Sequence, residues 1–326
     1  MPEKNLERIV VSLFFLVFLL LGFLTYKDYG VSTDENSQLR IGKVNYLRMR
    51  GVLTDSDLLN ECENYAAICD HSPLFEMLLY RLAPTGSSQS IFFTRHLATF
   101  LFFVLGVFFF FLLGKEALHD WKLGLAAALF LVLSPRIFAN AFYNSKDIPF
   151  LSAYIISMYT MFQFVKRKNV GWAALHGLAT GIASSIRTPG IILLPITFAA
   201  FVLEAIISKT TWRSVLRMIF PFLVFGGVTL LVMYISYPYL YPDPIGRYIE
   251  VFNIMKQFPW RGYELYLGQN IGNRTPWHFS LVWFAISTPL LYVFLFILGA
   301  YAMLRGLFQD IKKRQPSFIM ENSMLY

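Results

Sequence analysis

The apolar stretch Ile9–Tyr26, with the sequence IVVSLFFLVFLLLGFLTY, decides the fold of this chain. A stretch of this length without a charged side chain is typical of a helix that crosses the hydrocarbon core of a bilayer. Lys4 and Arg8 precede it, and no small-residue cleavage site follows it. We therefore interpret it as an uncleaved first membrane helix rather than as a signal peptide.

The composition extends this interpretation to the whole chain. Of 326 residues, 56% are hydrophobic and only 15% are charged, whereas soluble domains are nearer one quarter charged. A water-soluble core could not bury so much apolar surface. The net charge of +8 does not indicate a nucleic-acid partner, because the basic residues are scattered between apolar segments instead of forming one patch.

Seven further apolar stretches follow, so we predict an all-α polytopic membrane protein with a bundle of about eight transmembrane helices. We assign residues 1–314 to one membrane domain and 315–326 to a tail. The further spans are expected near residues 97–114, 122–139, 148–165, 171–186, 189–208, 217–237 and 280–304.

Basic residues predict the orientation of the spans. With eight crossings, the basic connections and both termini fall on one side, which we assign to the cytosol; the basic residues are Lys115, Lys122, Lys166, Arg167, Lys168, Lys209, Arg213, Arg217, Lys312, Lys313 and Arg314. The other side then holds two outer loops, about 27–96 and 238–279, and two short turns. We expect a multi-pass protein of a bacterial inner membrane.

The first outer loop begins with two adjacent carboxylates, Asp34 and Glu35. Acidic groups next to lipid are costly, so a functional reason is expected, such as a general base. A structural alternative remains open, because Ser32 and Glu35 have the spacing of a capping box. The two interpretations are compatible.

The residues after Glu35 predict a basic amphipathic helix at the membrane interface. Ile41 and Val44 share an apolar face, while Arg40 and Lys43 are polar. Such a helix could attract a lipid phosphate or simply anchor the loop to the membrane surface.

A second acidic position, Asp147, lies at the outer start of the fourth span, and Pro149 follows it. Asp147 could be a helix N-cap, with the proline in the first turn. The predicted topology nevertheless places Asp147 on the same face as Asp34. Two carboxylates from distant parts of the chain on one face indicate an acid–base or metal site.

Other polar residues share that face. Arg95 and Arg187 could bind phosphate in a forked geometry, or their side chains could extend to the interface without a ligand. His71 and His278 could be metal ligands or packed ring donors. The aromatic second outer loop could stack on sugar rings or form an interfacial belt, with Trp260, Tyr263, Trp277 and His278 as the candidate contacts.

The only cysteines, Cys62 and Cys69, fall in the first outer loop. In an oxidising compartment they could form a disulfide. The sequence leaves this possibility and two free thiols equally open.

Several short motifs together resemble the GT-C glycosyltransferase superfamily, and most closely its dolichyl-phosphate-mannose protein mannosyltransferase and aminoarabinose transferase group. Their order matches over nearly the whole chain. The motifs are Thr33–Glu35, His71–Glu76, Arg95, Ser134–Pro135, Lys146–Pro149, Arg187–Gly190, Trp260–Gly268, Pro276–His278 and Ser287–Pro289.

The resemblance implies a glycosyltransferase that takes its sugar from a polyprenyl-phosphate lipid on the non-cytosolic face and inverts the anomeric centre. Asp34 would be the general base, and Glu35 and Asp147 would orient the acceptor or hold a metal. Arg95 and Arg187 would bind the donor phosphate. A divalent metal ion is possible, with Glu35, His71 and His278 as candidate ligands.

Two other function classes remain open: a noncatalytic membrane subunit, and a transporter or flippase of lipid-linked sugars. A transporter predicts ionisable residues midway through the spans and paired broken helices. Only His176 lies deep in a predicted span, and no internal duplication is evident.

Overall fold

The computed structural model describes residues 3–83, 87–207, 211–256, 262, 264–271 and 275–313. Fifteen α-helices fall within these residues: α1 Glu3–Thr25, α2 Glu35–Met49, α3 Asp55–Asn64, α4 Ala67–Asp70, α5 Leu74–Leu82, α6 Ser88–Leu118, α7 Trp121–Val132, α8 Pro135–Tyr143, α9 Asp147–Arg167, α10 Val170–Ile186, α11 Leu193–Ile207, α12 Trp212–Ser236, α13 Pro244–Lys256, α14 Phe279–Ser287 and α15 Leu290–Lys313. Two 3₁₀ helices, Thr188–Ile192 and Pro238–Leu240, precede α11 and α13. One antiparallel hairpin joins β1 Leu265–Tyr266 to β2 Gln269–Asn270.

Within the described residues, each of the eight predicted spans is mostly helical, and the all-α polytopic fold is confirmed. Five segments within the described residues are long and apolar enough to cross a membrane alone: α1, α6, α9, Thr188–Ile206 and α12. Helix α10 is apolar but shorter.

The third and eighth predicted spans are bent helix pairs rather than straight helices. Helices α7 and α8 meet at 68°, and α14 and α15 meet at 119°. Each break precedes or contains a proline, Pro135 or Pro289, which lacks the backbone donor needed to continue a helix.

Helix α10 packs closely against α12 because small residues face it. A Cβ atom on Gly177 would lie 2.6 Å from the carbonyl oxygen of Phe225, and one on Gly181 would lie 2.6 Å from the Cβ of Val232. Small residues permit this backbone approach between helices in a membrane. The buried His176 lies flat against Phe225 in the same contact.

Helices α2–α5, the 3₁₀ helix Pro238–Leu240 and α13 form a separate layer, which we call the cap. Its core includes Ile41 and Val44, so these residues of the predicted amphipathic helix are packed inside the cap. Cys62 and Cys69 are joined by a disulfide between α3 and α4. The hydroxyl of Tyr237 donates a hydrogen bond to the Cys69 carbonyl and so ties the end of α12 to α4.

The two ends of the bundle differ in their charges. At one end, which we call the basic end, Lys115 pairs with Glu7, and Lys166 with Glu116 at 3.2 Å. The other end carries the cap, and we call it the site end. Of the predicted basic residues, Lys209 and Arg314 lie outside the described residues.

Candidate active site

Two adjoining cavities open at the site end, each of roughly the same size. Cavity A, about 330 Å³, lies between the cap and the bundle and is lined by Asp70, His71 and Thr188 among others. Cavity B, about 320 Å³, is lined by Asp34 and Asp147 among others. The two cavities share Gln38, Ser145, Lys146 and Arg187. The chain therefore brings residues from both outer loops and two short turns to one place.

Asp34 reaches cavity B because it stands at the N-terminus of α2. Half of the predicted capping box is present: the backbone N–H of Ser32 donates to Glu35 Oε2 at 2.7 Å. Asp34 itself makes no side-chain capping bond. Its carboxylate is thus placed at the cavity by a fixed backbone turn.

Glu35, the neighbour of Asp34, is turned into the protein. It is 1% exposed, and its Oε1 lies 2.9 Å from His96 Nε2. The other ring nitrogen of His96 lies 3.4 Å from the carbonyl oxygen of Tyr26, at the end of α1. His96 therefore bridges the segments before and after the loop that carries Asp34.

Asp147 is the first residue of α9 and forms an ion pair with Arg187. The side chain that satisfies the start of α9 is Asn144, whose Oδ1 accepts from the backbone N–H of Asp147 at 2.8 Å. Asn144 Nδ2 also donates to Asp147 Oδ2 at 3.1 Å. The Asp147 side chain is therefore held between Asn144 and Arg187 at the wall of cavity B.

Positive charge is concentrated where the two cavities meet. Burial and the neighbouring Arg187 charge lower the pKa of Lys146, and burial lowers the pKa of Arg187. Burial, with Lys146 and Arg187 nearby, lowers the pKa of His71 to about 4, so His71 is neutral at pH 7. Cations held under these conditions gain from an added anion, and a phosphate group is one such anion.

Arg95, predicted to bind phosphate, is 1% exposed and already paired. Its guanidinium lies 2.6 Å from Glu76, and Ser145 hydrogen-bonds to both side chains. Burial raises the pKa of Glu76, although Arg95 acts in the opposite direction. Arg95 lines neither cavity. It joins α6 to α5 beneath Ser145, which does line both.

The predicted sugar contacts of the second outer loop lie elsewhere or outside the described residues. His278 hydrogen-bonds to Tyr266 at 2.6 Å, and Trp277 is 86% exposed; neither lines cavity A or B. Trp260 and Tyr263 lie outside the described residues.

The candidate metal ligands do not form a set. Among the residues that the structure describes, no three His, Cys, Asp or Glu side chains are grouped to hold a metal ion. Glu35, His71 and His278 are all described, and Glu35 and His278 are engaged by His96 and Tyr266. Among the described residues, these three candidates therefore do not form a metal site.

Of the four residues that line both cavities, three were not among the predicted site residues: Gln38, Ser145 and Lys146. A signal existed for Lys146, since it directly precedes Asp147 in the short turn at the site end. Gln38 is one turn after Asp34 on α2, and a helix places such residues on the same side. Ser145 gave no such signal.

Apolar helices that end in a cavity with acidic and cationic groups define a membrane protein with a polar site at one end. Comparison with curated proteins and with solved structures finds no match. The family model described as dolichyl-phosphate-mannose-protein mannosyltransferase matches residues 71–239, just over half of the chain. The chain belongs to this family and is a membrane glycosyltransferase of the GT-C type. The matched region includes Asp147 and Arg187 and begins after Asp34.

Proposed function

We propose that the chain transfers a sugar from a polyprenyl-phosphate carrier to a hydroxyl or amine of an acceptor. The observation that carries this proposal is the meeting of Asp34 and Asp147 in cavity B, with Lys146 and Arg187 beside them. A carboxylate that can accept a proton and cations that can hold a phosphate are the groups that such a transfer requires.

The donor phosphate is assigned to the junction of the two cavities, where Lys146 and Arg187 can both reach it. Phosphate is the leaving group, and fixed cations stabilise the charge that develops on it. Arg95 acts indirectly in this scheme, because its guanidinium is buried against Glu76 and lines neither cavity. It holds Ser145 in the shared wall of the cavities.

An apolar groove supports a lipid-linked donor. The groove, about 550 Å³, shares Thr188, Pro189 and Met255 with cavity A and continues along Ile191 and Leu194. Ile191 and Leu194 belong to the segment Thr188–Ile206, which is long and apolar enough to cross a membrane. An isoprenoid tail could therefore lie against the bundle while its phosphate reaches Lys146.

Asp34 is the proposed base because its neighbour Glu35 is engaged by His96 and Ser32. The Asp34 carboxylate takes the proton of the acceptor, and the acceptor oxygen or nitrogen attacks the anomeric carbon from the side opposite the phosphate. The bond from that carbon to the phosphate oxygen breaks, and the electron pair leaves with the polyprenyl phosphate. The anomeric centre is inverted, and Asp147 orients the acceptor.

The site is assigned to the non-cytosolic face, with both termini in the cytosol. The disulfide between Cys62 and Cys69 supports this assignment, because disulfides persist in oxidising compartments. The lysines of the basic end agree with a cytosolic position.

Asp34→Asn tests the proposal in purified, reconstituted protein supplied with polyprenyl-phosphate sugars. We expect the transfer rate to fall by about 10²–10⁴-fold while donor binding is retained, because general base catalysis is lost. Asp28→Asn is the matched control, since Asp28 is exposed in the same loop and lines neither cavity. Unchanged transfer in Asp34→Asn would refute the proposed base, and sugar-lipid translocation without transfer would indicate a flippase.

A further inference from the structure

Helix α13 of the cap has three distinct faces. At ~100° per residue, the buried Val251 and the half-buried side chains, including Tyr248 and Met255, occupy one sector of about 120°. Gly246, Glu250 and Asn253 are exposed and form a polar sector. The remaining sector, about 60° wide, holds Ile245, Ile249 and Phe252.

The third face is exposed yet apolar. Ile245, Ile249 and Phe252 are 75%, 54% and 46% exposed, and they recur with the spacing of one helical stripe. Lys256 continues the stripe at the C-terminal end of the helix. A stripe of large apolar side chains on a helix outside the spans indicates contact with something apolar.

The surroundings of α13 indicate a lipid layer as that partner. The helix follows the end of span α12 after only a short connection, so it lies next to the bilayer. Phe252, Met255 and Lys256 also line the apolar groove, whose other wall is the membrane-spanning segment that begins at Thr188. The exposed stripe is thus continuous with surface that already faces hydrocarbon.

We propose that α13 lies in the membrane interface at the site end, with Ile245, Ile249 and Phe252 in the acyl region of the leaflet. Lys256 extends to the headgroup phosphates, as long basic side chains do at this boundary. The interfacial helix is then α13, whereas the apolar residues Ile41 and Val44 of α2 are packed within the cap.

This position gives α13 a second role, which rests on the proposed function. Its C-terminal turn is the outer wall of the groove that leads to cavity A. A lipid donor entering from the leaflet would pass its tail between Phe252 and the start of α11. This wall of the groove would therefore affect the entry of a long-chain donor, although α13 itself does not contact the reacting atoms.

The membrane contact is tested by single-cysteine labelling. Ile249→Cys and Asn253→Cys are labelled with an environment-sensitive fluorophore in phosphatidylcholine–phosphatidylglycerol nanodiscs; the paired Cys62 and Cys69 do not react. We expect a blue-shifted label at position 249 that is quenched by nitroxide-bearing lipid. The label at 253 should instead be quenched by iodide. Equal iodide quenching at both positions would overturn the proposal.

The second role is tested by Phe252→Asp with Asn253→Asp as the matched control. Phe252→Asp should raise the KM of a long-chain donor by about 10-fold or more, because apolar contact with the tail is lost, and should leave the KM of a short, water-soluble donor analogue unchanged. Asn253→Asp should change neither value. Equal changes in KM for both donors would refute the role of α13 as the wall of the groove. Unchanged transfer in Asp34→Asn would refute the proposed base. That result would not affect the labelling test of the membrane contact.

Discussion

The two ends of the bundle carry charge in different ways. At the basic end, Lys166 and Glu116 form an ion pair whose side chains are 21% and 30% exposed. At the site end, Arg95 and Glu76 are 1% and 5% exposed, and the hydrogen-bonded pair of His96 and Glu35 is equally buried. The pair at the basic end remains in contact with solvent, whereas both pairs at the site end are enclosed by helices.

This difference determines how much each pair contributes to the stability of the folded protein. A partly exposed pair such as Lys166 with Glu116 contributes little to stability. A buried ion pair such as Arg95 with Glu76 must be complete, because one member without the other is an uncompensated charge. The pairs at the site end therefore fix the positions of α2, α5 and α6, which carry or support the cavity walls.

The largest effect is expected from Arg95→Leu. Glu76 would remain buried without its cation, and we expect a loss of about 3–5 kcal/mol of folding free energy. Without Arg95 the pKa of Glu76 rises further, so the folded state binds more protons than the unfolded state above the usual glutamate pKa. The stability of the variant should consequently fall as pH rises from 5 to 8. Thermal unfolding in detergent measures both effects.

The double variant Arg95→Leu with Glu76→Leu is the control for that prediction. Removing both charges should recover much of the lost stability, because no charge is then left buried alone. If the double variant is as unstable as the sum of the single variants, the pair does not act as a unit.

An intermediate effect is expected at Lys146. Lys146→Met should raise the KM for the lipid donor by about 10–100-fold, because a charge-assisted contact to phosphate is worth about 1.5–3 kcal/mol. The lowered pKa of Lys146 adds a pH effect: the side chain loses its proton below the usual lysine pKa, so wild-type donor affinity should weaken as the solution becomes alkaline. Steady-state kinetics across pH measure both.

Lys146→Arg provides the comparison, since arginine keeps its charge at higher pH. The alkaline loss of donor affinity should move upward in this variant. An unchanged profile would assign the titration to another group.

The smallest effect is expected at the basic end. Lys166→Ala should change folding free energy by no more than about 1 kcal/mol, because its pair with Glu116 is partly exposed. The measurement is the same detergent unfolding used for Arg95→Leu. A loss as large as that of Arg95→Leu would remove the distinction between the two ends.

Much of the fold followed from apolar length alone. Each predicted span coincides with helix, because crossing a bilayer imposes a length that the sequence displays. The meeting of Asp34, Asp147 and Arg187 was also predictable, since each directly follows or precedes an apolar stretch at the same end. Counting crossings is sufficient to place them on one face.

The pairings inside the site were not predictable in the same way. Arg95 looked like a phosphate ligand because its exposure was unknown, and its partner Glu76 belongs to a separate cap helix. The same holds for His96 and Glu35, which are distant in sequence. Such contacts depend on how the cap packs against the bundle, and the helical periodicity of the sequence does not determine this packing.

The approach of α10 to α12 sets a limit on how this chain can vary. Gly177 and Gly181 have no room for a methyl group, whereas Leu175 and Leu178 on the same helix are 49% and 43% exposed. In a saturation mutagenesis library, only glycine should be accepted at positions 177 and 181. Almost any apolar residue should be accepted at positions 175 and 178. The substitutions accepted at each position of α10 would therefore show which face of the helix packs against α12.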